Sequence, residues 1–497
     1  MADIISSFGT LLQPLTFLII LLATTLGIIL GAIPGLSGGL GVALLLPLTF
    51  GMQSEVGLAM LVSIWVGGTS GAMIGSILLG IPGSPSAIAT TFDGYPMTRN
   101  GQAVKALGAA ITASFCGTFL SILIAMFLSP LMADLAIMMG PWEYFSLGFA
   151  AISLVAALSR DSVFHGLAAA AIGLILASVG FAPIDGYPRF TFGSIYLAGG
   201  FDLIPLMLGL FALKQIVEDY AKGQQPAPEV DVRDIKGFGV TLKEYRENAW
   251  NIARSFGIGL WIGFLPGMGS ALSNMVAYAQ AKSASKHPEK FGKGCVDGVF
   301  ASETSNNASV GGALIPMVAL GIPGDGTTAI LLGGLLIHGV QAGPLLFTNN
   351  PEIVYALFLT ALIAAILTLF LQFFGMRLFP AILKIPYQYL YPTIVVLGFM
   401  GVFVGSSTAF NYILLLGFAG LGLGMTKLRL PVSPFILAFI LAPMLELNLR
   451  RGMTYTDEGV MPFFTRPISG LLLLVAVLSI VMPYLMPAIR RWRGNAS

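Results

Sequence analysis

The sequence predicts an all-α polytopic membrane protein of about 10–12 transmembrane helices, with broken or re-entrant hairpins, built as two inverted-topology repeats. Three observations predict it. First, 56% of the 497 residues are hydrophobic and 10% are charged, with a mean hydropathy of +0.87. A soluble domain carries roughly 25% charged residues, so most of this chain faces lipid or a protein interior within lipid. Second, apolar runs near the length that crosses a bilayer recur along the chain. Third, Leu-Gly-Ile-Pro-Gly occurs twice, at 79–83 and 320–324. Each copy follows an earlier matching segment, GIILGAIPG at 27–35 and GLWIGFLPG at 259–267.

The apolar runs fall in order at 15–33, 56–81, 107–128, 142–158, 164–179 and 201–216. The second half adds 256–267, 310–322, 330–346, 354–374, 393–405, 412–425, 432–445 and 468–486. Several are shorter than about 17 residues or hold Gly-Pro pairs, the mark of broken or re-entrant pieces. The N-terminus lacks the basic segment and small-residue cleavage site of a signal peptide, so 15–33 is expected to be a retained first helix.

The paired motifs keep the same order, offset by 232 positions from Gly27 to Gly259 and by 241 from Leu79 to Leu320, which implies a duplicated segment. Gly and Pro cost a helix interior about 1 and 3 kcal/mol. Breaks are therefore expected at Pro34-Gly35, Pro82-Gly83, Pro266-Gly267 and Pro323-Gly324. Interruptions at matching places in two halves point to a binding site between repeats. Three blocks result: 1–220, a motif hairpin followed by framework helices; 221–251, a polar linker; and 252–497, the second repeat half.

Net charge +2 and the lack of basic clusters interleaved with aromatics give no sign of nucleic acid. Cys116 and Cys295 do not suggest a disulfide scaffold. No Lys or Arg precedes Arg99, the stretch from Lys214 through Arg254 holds seven counting both ends, and Arg490, Arg491 and Arg493 lie near the C-terminus. The positive-inside tendency then puts the N-terminus outside and the linker and C-terminus in the cytoplasm.

Two tracts centre on Thr-Ser: Gly67-Gly68-Thr69-Ser70-Gly71-Ala72, and Ser302-Glu303-Thr304-Ser305-Asn306-Asn307-Ala308-Ser309. Small residues and hydroxyls also serve simple helix packing, but Glu303, Asn306 and Asn307 are costly to bury and point to a lined cavity. After each Leu-Gly-Ile-Pro-Gly the chain should unwind, leaving free amides at the start of the next helix, with Ser84 and Asp325 as caps. Free amides attract anions and freed carbonyls attract cations. Asn274 lies in an otherwise apolar helix. Asp93-Gly94 and His338-Gly339 read as turns, His165 as a helix-start partner of Asp161, and Lys282, Lys286, Lys290 and Lys293 as a solvated segment able to face lipid or draw anions.

The segments Gly31-Ala-Ile-Pro-Gly-Leu, Ala43-Leu-Leu-Leu-Pro-Leu-Thr-Phe50, Leu-Gly-Ile-Pro-Gly-Ser-Pro and 302–307 together resemble the TctA family, the large membrane subunit of bacterial tripartite tricarboxylate transporters. The resemblance covers nearly the whole chain. It implies a secondary, sodium-driven uptake system for di- or tricarboxylates in the bacterial inner membrane, without singling out citrate. It also implies two partners, a small four-helix membrane subunit and a periplasmic substrate-binding protein. On this view the anion is held by Ser37, Thr69, Ser70, Ser84, Ser305, Asn306, Asn307 and Thr327. Sodium is held by carbonyls freed at the breaks, with Asn274, Glu303 or Asp325. An acid beside an anion would repel it, so Glu303 and Asp325 suit an ion or a proton better than substrate. No organic cofactor and no enzymatic activity are expected.

Two other functions fit parts of the sequence. Gly68-Thr69-Ser70-Gly71 matches the Gly-x-Ser-Gly pattern of rhomboid-type intramembrane serine proteases, which would need His165 or His338 beside Ser70. A permease subunit of a differently energised anion uptake system also fits, although the chain has no Gly-x-x-x-x-Gly-Lys-[Ser/Thr] loop to cradle nucleotide phosphates.

Overall fold

The computed structural model describes residues 2–157, 162–222, 239–383, 385, 387–405 and 408–494. They are almost wholly helical. Among them the strands are one short antiparallel pair, Gly180–Phe181 with Pro188–Arg189. In chain order the helices begin with α1 (Ala2–Leu11), α2 (Pro14–Ala32), α3 (Gly38–Leu45), α4 (Ser54–Leu79), α5 (Ile88–Arg99) and α6 (Ala103–Ile137). They continue with α7 (Pro141–Ala157), α8 (Val163–Ala177), α9 (Leu203–Met207) and α10 (Lys214–Lys222). Beyond the linker come α11 (Leu242–Phe264), α12 (Gly269–Ala284), α13 (Val296–Leu320), α14 (Gly326–Ile337), α15 (Leu346–Asn349) and α16 (Pro351–Gly375). The last are α17 (Phe379–Ile382), α18 (Tyr387–Gly405), α19 (Ala409–Lys427), α20 (Val432–Thr454), α21 (Met461–Thr465) and α22 (Pro467–Gly494).

Among the described residues, seven helical stretches are long and apolar enough to cross a membrane: Pro14–Ala32, Ser54–Leu79, Ala103–Ile137, Pro351–Ile382, Ala409–Lys427, Val432–Thr454 and Pro467–Leu485. The chain is an all-α polytopic membrane protein. The sequence expectation is 10–12 crossings; beyond these seven, α11 and α13 have the length, 23 and 25 residues, but carry more polar side chains. The expected run 330–346 is cut short: α14 stops at Ile337, and Gly339 turns the chain at φ 72°.

The chain forms two compact units, Met1–Ala133 with Phe211–Thr408, and Asp134–Leu210 with Ala409–Ser497. Each unit takes its segments from both halves of the sequence. Of the polar linker 221–251, the described part is the end of α10 and the start of α11, where Thr241 and Glu244 form a reciprocal capping box.

The first unit holds the duplication. α2 packs along α4, and α11 packs along α13. Glycines make the close approaches, at matching positions. A Cβ at Gly27 would run into the Ile64 carbonyl oxygen, and one at Gly259 into that of Ser305. Gly31 faces the Gly68 carbonyl as Gly263 faces that of Ser309, and Gly71 faces Ile28 as Gly312 faces Leu260. Each partner pair keeps the same two sequence offsets, so the repeat seen in the sequence is a repeat of backbone packing. Small residues that bring helix backbones together supply the dispersion contacts on which membrane helices rely.

The second unit is held by polar contacts at the ends of its helices. Arg189 pairs with both oxygens of Glu446 at 2.7 and 3.0 Å, and Arg450 bonds Asp185 at 2.9 Å. Arg466 bonds the buried Glu143 at 2.6 Å and lies 4.6 Å from the centre of the Trp142 ring, whose indole N–H donates to the Gly452 carbonyl.

Candidate functional site

The two breaks are built alike. α4 ends at Gly80 (φ 68°) and α13 at Gly321 (φ 70°), a left-handed conformation that glycine adopts at little cost. The chain then passes through Pro82-Gly83 or Pro323-Gly324. Gly83 lies against Ala72 and Gly31, and Gly324 against the equivalent Ala313 and Gly263. The second break is tied to the other Pro-Gly pair of its repeat, since the Gly267 N–H donates to the Gly324 carbonyl at 2.7 Å.

The breaks of the two repeats also meet each other. A Cβ on Gly39, at the start of α3, would lie 2.8 Å from Thr327 Oγ1, at the start of α14. A Cβ on Gly38 would lie 3.3 Å from the Thr69 nitrogen. Ser37, Thr69 and Thr327 are thus gathered around the N-termini of two helices, one from each repeat. Ser37 caps α3 by accepting the Leu40 N–H at 3.2 Å, and Thr69 donates back to its own helix at Trp65 O, 2.9 Å.

The expected caps divide. Asp325 accepts the Thr328 N–H at 2.8 Å, and Thr328 Oγ1 in turn accepts the Asp325 N–H at 2.8 Å. Ser84 does not cap: its hydroxyl pairs with that of Ser86 at 2.6 Å, ahead of a 3₁₀ turn at Pro85–Ala87. The start of α5 is capped from the other repeat, because Asn274 Oδ1 on α12 accepts the Ala89 N–H at 2.8 Å. The amide expected to be free there is occupied.

The tract 302–307 is fully buried on α13, and its side chains radiate to different neighbours. Ser305 faces α12, where it and Ser273 exchange hydroxyl-to-carbonyl bonds at 2.9 and 3.2 Å, a helix-to-helix tie. Glu303, Asn306 and Asn307, at i, i+3 and i+4, converge. Glu303 Oε1 accepts from Thr90, and Oε2 accepts from Ser114 (3.2 Å), Asn306 (3.4 Å) and Asn307 (3.2 Å). Asn307 also donates to Ser114 Oγ at 2.9 Å and accepts from Thr118 at 3.2 Å. Among the described residues no Lys, Arg or His forms an ion pair with Glu303. Asn306 Nδ2 also reaches the Thr69 carbonyl at 3.5 Å, while its Oδ1 is buried with no partner. Asn274 completes the cluster through Thr90 Oγ1 and the Ser302 carbonyl.

Thr90, Ser114, Thr118 and Gln372 were not singled out by sequence. Only their targets mark them: Thr90 and Ser114 bond Glu303, Thr118 bonds Asn307, and Gln372 accepts from Ser70. Asp93 corrects the sequence expectation outright. It is no turn residue but lies inside α5, fully buried, because its carboxylate gathers the N–H groups of Gly292, Gly294 and Cys295. His338 does end a helix, and its Nε2 contacts Thr49 Oγ1 at 3.1 Å. His165 bonds Ser162, while Asp161 lies outside the described residues. Ser70 donates to Gln372 Oε1 at 3.0 Å, so its partner is not the histidine that a protease dyad needs.

Lys282, Lys286 and Lys293 are exposed, as expected. Lys290 lines an open cavity of about 270 Å³ with Lys105, His287, Gln102 and Asp297.

Residues 17–437 match the family described as "Tripartite tricarboxylate transporter TctA family". The chain belongs to the TctA family, and it is therefore a membrane protein of a transporter family. It is 31% identical over 499 residues to a protein of Agrobacterium vitis described as "Uncharacterized 52.8 kDa protein in TAR-I ttuC' 3'region", covering 100% of this chain and 99% of that one. A second protein of that organism, "Uncharacterized protein in TAR-II ttuC' 3'region", is 31% identical over 237 residues, 48% of this chain and 98% of its own length. No solved structure matches the chain.

Proposed function

We propose that this chain is the large permease subunit of a binding-protein-dependent secondary transporter that takes up di- or tricarboxylates across the bacterial inner membrane, coupled to sodium. The observation that carries the proposal is the meeting of the two duplicated breaks, with the start of α3 against the start of α14 at Gly39 and Thr327. Helix N-termini favour anions: that of α3 carries no acid, whereas that of α14 is capped by the Asp325 carboxylate and suits an anion only when a cation sits beside Asp325, as sodium coupling would provide. Ser37, Thr69 and Thr327 stand at that meeting and are the first substrate contacts in this scheme. Ser70, Ser305 and Asn307 already bond protein partners, so they act chiefly by fixing α4 and α13.

Sodium is cargo in this scheme. Glu303, buried with no cationic side chain paired to it among the described residues, supplies the balancing charge. Alternating access moves the inverted repeats about the site. Family membership supports two partners, a small membrane subunit and a periplasmic protein that delivers substrate.

The test is uptake of radiolabelled di- and tricarboxylates into proteoliposomes holding this chain, the small subunit and the binding protein, with and without an inward sodium gradient. Accumulation that follows the gradient is the expected result. Uptake that ignores the gradient and needs ATP would overturn it in favour of a differently energised permease.

A further inference from the structure

A second, smaller cavity lies beside Glu303. It has a volume of about 10 Å³ and is lined by Val66 and Ser70 of α4, Ile111, Ser114, Phe115 and Thr118 of α6, and Ala365, Thr368 and Leu369 of α16. A space of roughly 10–15 Å³ holds a single water-sized occupant. Four of its lining residues carry hydroxyls, and all four side chains are buried.

The hydrogens of three of these hydroxyls are used elsewhere. Ser70 donates to Gln372 Oε1, Ser114 to Glu303 Oε2 and Thr118 to Asn307 Oδ1, at 3.0, 3.2 and 3.2 Å. A hydroxyl has one hydrogen and two lone pairs, so what these residues have left to offer the cavity is acceptor capacity. The fourth, Thr368, is 5% exposed, and its Oγ1 has no hydrogen-bond partner. A buried polar group left unsatisfied costs stability, and here it marks a place for a missing partner.

We infer that this cavity between α4, α6 and α16 is a binding site for one desolvated sodium ion, an inference that rests on the sodium coupling proposed above. Neutral oxygens are the ligands a hard cation takes, and the remaining walls, at Val66, Ile111, Phe115, Ala365 and Leu369, are apolar. One carboxylate, Glu303, adjoins the cavity through Ser114. That single charge matches a monovalent ion, and among the described residues no group of three or more His, Cys, Asp or Glu side chains stands ready for a multivalent one. None of the three residues first expected to bind the ion lines this space. The cavity instead places the ion between α16, α4 and α6, the last of which bonds Glu303 and Asn307 through Ser114 and Thr118.

The experiment measures the melting temperature of the purified full-length protein, and binding of radioactive sodium to it, in sodium chloride against equal concentrations of potassium or choline chloride. Sodium alone should raise the melting temperature, because a ligand bound only by the folded state stabilises it. Thr368→Val should weaken sodium binding about tenfold, the scale of one lost bond to a charged partner, while Thr368→Ser should retain it. Ser70→Ala gives an independent arm should the valine variant fail to fold. Unchanged sodium affinity in both Thr368→Val and Ser70→Ala overturns the site, leaving a buried water there and sodium coupling intact. No sodium response in the unaltered protein overturns the site and the coupling together, and carboxylate uptake is then judged by the liposome assay alone.

Discussion

The phenol of Tyr278 donates to Asp93 Oδ2 at 2.9 Å, tying α12 of the second repeat to α5 of the first. The other oxygen of the same carboxylate holds Gly292, Gly294 and Cys295 by their N–H groups at 2.9, 2.9 and 2.8 Å. One fully buried side chain therefore fixes the loop that launches α13.

Removing that carboxylate should be costly. Asp93→Ala leaves three N–H groups and a phenol without their acceptor, and the expected loss is about 3–5 kcal/mol. Tyr278→Phe removes one bond and should cost about 1–2 kcal/mol. Thermal unfolding in detergent checks both. Equal losses would mean that the loop N–H groups contribute nothing.

The matched glycines make a paired prediction. Gly27→Ala and Gly259→Ala each push a methyl group into a carbonyl oxygen of the partner helix, Ile64 or Ser305. Each should cost roughly 2–3 kcal/mol through overpacking. The melting temperatures of the two variants should fall by similar amounts, and Gly9→Ala, where nothing lies within 4 Å, should fall little.

At Asp325 charge and capping can be separated. Asn caps as well as Asp does, whereas Ala loses about 1 kcal/mol. Asp325→Asn should therefore keep its melting temperature while changing the sodium dependence of uptake, and Asp325→Ala should lose both. Unaltered sodium dependence in the Asn variant would remove this carboxylate from ion coupling.

Cys295 gives a pH-dependent signature. Burial, and next the nearby Asp297, push its thiol up to about 11. Alkylation needs the thiolate. A raised value keeps the thiol neutral through physiological pH, so labelling by iodoacetamide should be slow at pH 7.5 and accelerate only as pH climbs towards that value. Asp297→Asn should move the accelerating range downward. Fast labelling of Cys295 at neutral pH in the folded protein would contradict the geometry around it.

Much of this was legible in the sequence because duplication and helix breakage leave marks in residue type. Pro82-Gly83 and Pro323-Gly324 announce the breaks, whereas Glu303, Asn306 and Asn307, read from sequence as lining a cavity, are packed into a fully buried polar cluster that bonds within itself. What stayed hidden depends on partners far apart in the chain. Asp93 looked like a turn beside Gly94 because the loop it holds lies some 200 positions away. Ser84 looked like a cap because nothing local revealed that Asn274 reaches across to do that work at Ala89. Thr368 carried no signal at all, since a lone threonine in an apolar helix most often bonds its own backbone.

From Gly298 to Leu320 every residue of α13 is buried, leaving that stretch no face to offer lipid. An acid at the centre of a helix opposes membrane insertion by about 2.5–3.5 kcal/mol, so α13 is poorly suited to enter a bilayer alone. The residues that satisfy its polar tract, Thr69, Thr90, Ser114, Thr118, Ser273 and Asn274, all precede it in the chain. During synthesis these polar partners are therefore made before α13 emerges, and what is added afterwards, at α14, α15 and Gly324, closes over it.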